Sequence, residues 1–298
     1  MSPVQPPAPN RILLVADDFA LSKAITNGIE RLAAARRISG TSAIVTETDW
    51  PSAAKRLASL RDRIAIGLHF NLSEGRPLTT MPRLAPGTHF TGLAPLLKLS
   101  LASTEAARAA AHEARVETTR QLEAFETATG YPPDFIDGHQ HVHALRVIRD
   151  GFLAALAERF GNSDLKPLVR VPSAGAMASL VRGRATPKAL LLAALSSGLA
   201  RAVKAAGFPA NDDFAGVSSF SATPAAVAAD FAAAVGRRRG LNLVMCHPGL
   251  AETEASSSDT LAARRPLELV YLENDNALSA KLWRPNRPAD GPPIDWRT

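Results

Sequence analysis

"RILLVADDFALS", residues 11–22, decides the fold class. The apolar run from Ile12 to Val15 has no alternation of polar and apolar residues. That is the signature of a strand buried on both faces, as in a parallel sheet covered by helices. Two aspartates follow the strand where a nucleotide-binding fold would place a glycine-rich turn, so neither a dinucleotide fold nor a P-loop is supported. Helical periodicity begins directly after, with Ser22 as the N-cap of "SKAITNGIERLAAARRI".

Working outward, the same unit recurs. Strands are expected at 41–46, 64–72, 134–139, 167–172, 216–220 and 241–249, with helices near 51–60, 103–128 and from 145, and another within 224–239. Alternating strands and helices in a chain of 298 residues give an α/β fold. About seven parallel strands favour an irregular (β/α) barrel over an open doubly wound sheet. The division expected is a lead-in at 1–10, one barrel domain at 11–285 with a helical insertion at 174–207, and a Pro-rich tail at 286–298 without regular structure.

Composition narrows the function. With 46% hydrophobic and 21% charged residues there is ample material for a core. The single cysteine, Cys246, rules out an intrachain disulfide framework. Within a buried apolar strand it is also a poor nucleophile, because nothing near it in sequence lowers its pKa. The net charge of +6 is scattered, and its densest clump, "GRRRG" at 236–240, closes a helix without interleaved aromatics, so no nucleic-acid partner is expected. The run from Ala189 to Ala200 is too short to span a bilayer, which takes roughly 20 residues, and "MSPVQPPAPN" lacks the regions of a signal peptide. A cytoplasmic protein is expected.

Polar residues gather where the strands end. Asp17 and Asp18 close the first strand, His69 and Asn71 the third, Asp137 and His139 the fourth, Arg170 the fifth and His247 the last. In parallel α/β folds those ends open onto one face, where active sites are built. An aspartate with two histidines suits a divalent metal, and three protein ligands leave positions open for water and substrate. The second aspartate then remains as a base. In "DGHQHVHAL", residues 137–145, an extended backbone separates His139 from His143 by about 13 Å at ~3.3 Å per residue, so His139, His141 and His143 cannot all hold one ion. Adjacent Asp17 and Asp18 point to opposite sides of a regular strand, which does not suggest the carboxylate pair of a glycosidase.

The segments "ADDFALS", "SGTSAIVT", "GLHFNLSEGRPLT", "DGHQHVHAL", "VRVP", "NDDFAGVS" and "VMCHPG" resemble, in order, the YdjC/ChbG-like carbohydrate deacetylase family, which includes members associated with hopanoid gene clusters. The resemblance runs from residue 11 to about 250. It implies a barrel like that of NodB-type deacetylases and metal-dependent removal of an N-acetyl group from an amino sugar, chitooligosaccharide or related glycoconjugate. It further implies Asp18, His69 and His139 as ligands of a divalent metal, magnesium by resemblance, with zinc or another transition metal also suited to these donors. Asp17 becomes the base for a water activated by the metal and His247 the acid. Asn71, Asp137, His141, His143 and Arg170 become substrate contacts or supports of the ligands, and a homodimer is implied.

Two departures stand out. Ala20 replaces the family's glycine, which matters only where that position needs a positive φ, and 174–207 has no family match. Two other readings fit the motifs less well. An amidohydrolase-type barrel, acting on a small amide, places its His-x-His pair after the first strand. A non-catalytic sugar-binding barrel has no need of a spare base.

Overall fold

The computed structural model describes residues 4–6, 11–100, 104–172, 198–218, 220–235, 240–252 and 259–297. Most of the insertion expected at 174–207 lies outside them. Seven parallel strands form one sheet: β1 (Ile12–Phe19), β2 (Gly40–Ala43), β3 (Ala65–Phe70), β4 (Phe135–Gly138), β5 (Leu168–Val169), β6 (Asp213–Ala215) and β7 (Asn242–Cys246), in the order β5-β4-β3-β2-β1-β7-β6. The sheet curls until its outer strands approach. Among the described residues a bridge between Val169 and Ala210 joins them, and the Asn211 side chain clasps both backbone groups of Val171.

Two cores follow from the period of two along each strand. Leu13 and Val15, Ala65, Phe135, Leu168, Phe214, Leu243 and Met245 pack inside the curl. The intervening residues, among them Leu14, Ile66, Ile136 and Val244, pack outward against the helices. Filling the interior requires glycine at 67, where a Cβ would sit 2.4 Å from the Phe135 ring. Continuing each inner row toward the strand's carboxyl end brings Asp17, His69, Asp137, Arg170 and His247 onto the same face.

Helices α1 (Lys23–Ala34), α2 (Trp50–Ala58), α3 (Leu93–Ser100), α4 (Thr104–Thr129) and α5 (Arg146–Phe160) cover one part of the sheet. Ser22 caps α1, accepting the Ile25 N–H at 3.2 Å, as its position in the sequence predicts. In α4, Glu113, Glu117 and Gln121 recur every fourth residue and so share a face. They receive the backbone N–H groups of Arg83 and Leu84, of Leu78 and Thr79, and of Asn71 respectively. This face fixes the long loop after β3 against the barrel.

Two expectations need correction, and a third point, the course of the chain after the fourth strand, is decided by the structure. The strand expected at 216–220 lies earlier, at Asp213–Ala215, because Gly216 takes φ 108° and leaves the extended region. The "HQHVH" stretch is not strand but a tight 3-10 turn from His139 to Ala144, with Gln140 and His141 left-handed at φ 50° and 59°. Beyond Gly138 the ladder has no partner, since β3 ends at Phe70 and β5 pairs only as far as Ile136. Lastly, Asp17 and Asp18 do not point apart. Val15 and Ala16 pair with Gly40 and Thr41, but the next pair is Phe19 with Ala43, so β1 carries an extra residue there. Such a bulge re-aims side chains. Asp18 sits at its bend with φ 72°, and Ala20 follows at φ 74°. The position where the family has glycine therefore does take a positive φ, at a cost of about 1 kcal/mol for alanine.

The amino ends of the strands are closed by the C-terminal segment. Residues 286–297 form neither helix nor strand, only a bridge between Ile294 and Val4, yet Ile294 and Trp296 are buried in the inner core. Arg287 grips both oxygens of Asp134, at the foot of β4, while Trp296 Nε1–H donates to the Asp134 carbonyl at 2.6 Å.

Candidate active site

At the carboxyl end of the sheet lies a cavity of about 270 Å³. Asp17, Asp18, His69, His139, His141 and His247 line it, from β1, β3, the turn after β4 and the end of β7. Asp137 and Arg170 are wholly buried and bond to its lining residues. Asn71 and His143 are buried and do not line it.

His69 is held from behind. Its Nδ1 meets Asp137 Oδ1 at 2.5 Å, with Ser42 Oγ 3.0 Å away, and its Nε2 lies 3.3 Å from Asp18 Oδ1. The β3–β4 register sets this pair, since His69 and Asp137 are cross-strand partners. Ser42 also donates to Asp137 Oδ2, and Arg170 Nη2 lies 2.6 Å from the same oxygen. An imidazole fixed at Nδ1 by a carboxylate presents Nε2 as a ligand of defined direction.

His139 Nδ1 donates to Asp18 Oδ1 at 2.9 Å. Its Nε2 is buried without a hydrogen-bond partner, 3.6 Å from Glu74 Oε1. Two imidazoles thus converge on one oxygen of Asp18, while Arg265 Nη2 donates to the other at 2.8 Å. Burial raises the Asp18 pKa, but Arg265 and His139 outweigh it and hold the carboxyl well below its usual range. Burial opposes charge on both histidines as well. Asp137 nevertheless lifts His69 to about 10 and Asp18 lifts His139 to about 9, so both are cations in the ion-free protein.

Asp17 is gripped by both oxygens: Arg170 Nη1 donates to Oδ2 at 2.6 Å and Nη2 to Oδ1 at 2.7 Å. His247 Nε2 lies 3.9 Å from Asp17 Oδ2, and its backbone N–H donates to Glu268 Oε2 at 2.6 Å. Burial lowers the pKa of His247. Burial also drives His141 well below the usual imidazole range and His143 down to about 4. His143 Nε2–H donates to the Arg170 carbonyl at 2.8 Å, and His141 stands edge-on to Phe214. Asn71 shapes the loop: its Oδ1 accepts the Ser73 and Glu74 N–H groups, and its amide donates to the Glu74 carbonyl.

The donor set fits a divalent cation. One carboxylate and two imidazoles, all buried, bring an oxygen or nitrogen each within 4.8 Å of one another at Asp18, His69 and His139. The atoms that converge are Asp18 Oδ1, His69 Nε2 and His139 Nδ1, the two nitrogens lying 3.3 and 2.9 Å from that oxygen, and once deprotonated they would turn three lone pairs toward one point. A second set, Asp17, His69 and Asp137, is equally close, but there the Arg170 guanidinium already bonds to both carboxylates.

Four residues of the site escape a reading of the sequence: Ser42, Glu74, Asp259 and Arg265. Ser42 lies on the inner row of β2 and was within reach of the period-two argument. Glu74 depends on the loop, and Asp259 and Arg265 lie in a stretch with no motif at all.

Comparison with known proteins gives the family. The profile of the YdjC-like proteins matches residues 11–281. The chain belongs to the YdjC-like protein family. Among curated relatives, a mouse protein named carbohydrate deacetylase is 34% identical over 152 residues, 49% of this chain and 47% of its own. A Proteus mirabilis protein named chitooligosaccharide deacetylase is 33% identical over 137 residues, 46% of this chain and 51% of its own. The match thus spans about half the length of these relatives. A solved structure from Enterococcus faecalis V583, titled as a cellobiose-phosphate cleavage protein, superposes with a TM-score of 0.64 at 18% identity, over 92% of this chain and 96% of that one. That likeness establishes the fold. Among the described residues of this YdjC-like chain, no helix is long and apolar enough to cross a membrane.

Proposed function

We propose that this YdjC-like protein hydrolyses the N-acetyl group of an amino sugar or amino-sugar glycoconjugate, as the names of its relatives suggest for them. One observation carries the reading. A carboxylate held apart by an arginine, Asp17, stands beside three donors suited to a divalent ion, Asp18, His69 and His139, in a single cavity. Pure binding needs the ligands but not the spare base.

Asp18, His69 and His139 would hold a divalent ion, magnesium by family resemblance, although two imidazoles also suit zinc, manganese or cobalt. When bound, such an ion polarises the acetyl carbonyl and makes water more acidic. The residues of the chain do the rest. Arg170 fixes the plane of Asp17, so that the carboxylate takes a proton from the attacking water. As the tetrahedral intermediate collapses, the C–N bond breaks and the amine needs that proton. His247 is the acid for the amine: its Nε2 lies 3.9 Å from Asp17 Oδ2, a gap that one water bridges, so the proton taken by Asp17 reaches the amine through that water and the imidazole. Leu93, Val217 and Phe220 line the cavity and offer an apolar wall to the carbon face of the sugar ring.

Acetate release from a panel of N-acetylated sugars, chitooligosaccharides and glycolipids tests the reading. Activity that disappears with a chelator and returns with a divalent ion supports it. No release from any member, with ion bound at the site, overturns it.

A further inference from the structure

Arg265 has no part in the reading above, yet it is buried at 3% exposure on the cavity wall beside Asp18 and His247. Its Nε donates to Asp259 Oδ2 at 2.7 Å, and Nη2 donates to Asp259 Oδ1 at 3.2 Å and Asp18 Oδ2 at 2.8 Å. The two-point grip of Asp259 fixes the guanidinium plane. Nη1 remains, buried and without a hydrogen-bond partner among the described residues. An arginine in ordinary structural use would spend these donors on a carboxylate or a carbonyl, and a buried donor left over calls for an explanation.

We propose that Arg265 is a further catalytic residue whose Nη1 donates to the anionic oxygen of the acyl group, first in the tetrahedral intermediate and then in the carboxylate product. The proposal rests on the hydrolytic reading. The geometry favours an oxygen anion of the acyl part over one on the sugar, because Arg265 is tied to Asp18, at the centre of the ligand set. No proton leaves the guanidinium: water adds to the acyl carbon, the carbonyl oxygen gains the electron pair, and the pair returns as the C–N bond breaks. Preorganised donors aimed at developing charge are the kind of group that accelerates acyl transfer. Asp259 acts through Arg265 and is a positioning residue.

The test compares wild type, Arg265→Lys, Arg265→Met and Asp259→Asn by three readouts: divalent-ion affinity by calorimetry, acetate binding to the ion-free protein by NMR titration, and steady-state acetate release. For Arg265→Met we expect kcat to fall at least about 100-fold with KM within about threefold, comparable to loss of an oxyanion donor. Acetate affinity should weaken at least about tenfold, with partial recovery of both in Arg265→Lys. Asp259→Asn should show a smaller loss of kcat. If excess divalent ion restores the full rate of Arg265→Met, or acetate binds it as tightly as wild type, the proposal is overturned and Arg265 only orients Asp18. A wild-type protein that binds acetate through Arg265 but releases none from any N-acetylated sugar would overturn the functional reading and leave the anion site standing.

Discussion

Arg170 holds both oxygens of Asp17, at 2.6 and 2.7 Å, and the same guanidinium reaches Asp137, which in turn holds His69. One buried cation thus aligns the proposed base and the support of a proposed ligand, 153 residues apart in the chain for the first pair. The two aspartates of "DDF" are divided by this arrangement, Asp17 to Arg170 and Asp18 to the histidines.

Asp17→Asn keeps nearly the shape of the side chain and removes its basicity. It is expected to bind a divalent ion within about threefold of wild type while acetate release falls about 10³-fold, within the range for loss of a general base. His69→Ala should lose ion binding and turnover together. Calorimetry with an acetate assay on the two variants checks this, and near-normal release by Asp17→Asn would refute the base assignment.

Ion binding should release protons. His69 and His139 hold theirs up to about 10 and 9 in the ion-free protein, and imidazoles must be neutral to ligate. Calorimetry at pH 7.5 in buffers of different ionisation enthalpy is expected to give about two protons released per ion. These raised pKa values also stabilise the ion-free fold fully below the unfolded value of about 6.5. That contribution is lost as pH rises through 9 to 10, so the ion-free melting temperature should drop there.

The acid side has the opposite sign. His143 is buried neutral with its pKa near 4, below its unfolded value, so the stability it confers is present above about pH 6.5 and lost as pH falls toward 4. The full loss from this residue is on the order of 3 kcal/mol. Urea unfolding between pH 7 and 4 should show it, and His143→Gln should flatten the slope.

Arg287 is remote from the chemistry. Arg287→Met leaves Asp134 as a buried, uncompensated charge and should cost about 3–5 kcal/mol in denaturant unfolding. Acetate release per folded molecule should stay within about twofold, because Asp134 lies at the amino end of β4, about 10 Å along the strand from Asp137. A large drop in turnover at full folding would show that the closed end of the barrel couples to the site.

What the sequence determined by itself is whatever repeats with the strand period. Continuous apolar runs announce buried parallel strands, and stepping two residues along them places Asp17, His69, Asp137, Arg170 and His247 on one inner face before any coordinates are known. What the period cannot reach was decided only in three dimensions. A strict strand would send Asp18 outward; an extra residue in β1 and a φ of 72° turn it in. An extended "HQHVH" would spread its histidines over about 13 Å; the loss of ladder partners folds it into a turn that leaves His139 and His141 on the cavity and puts His143 behind Arg170. Arg265 reaches Asp18 across 247 residues with no motif to announce it. Local pattern fixes which face of a strand a side chain takes, whereas bulges, tight turns and distant helices depend on which backbone groups find partners once the sheet has closed.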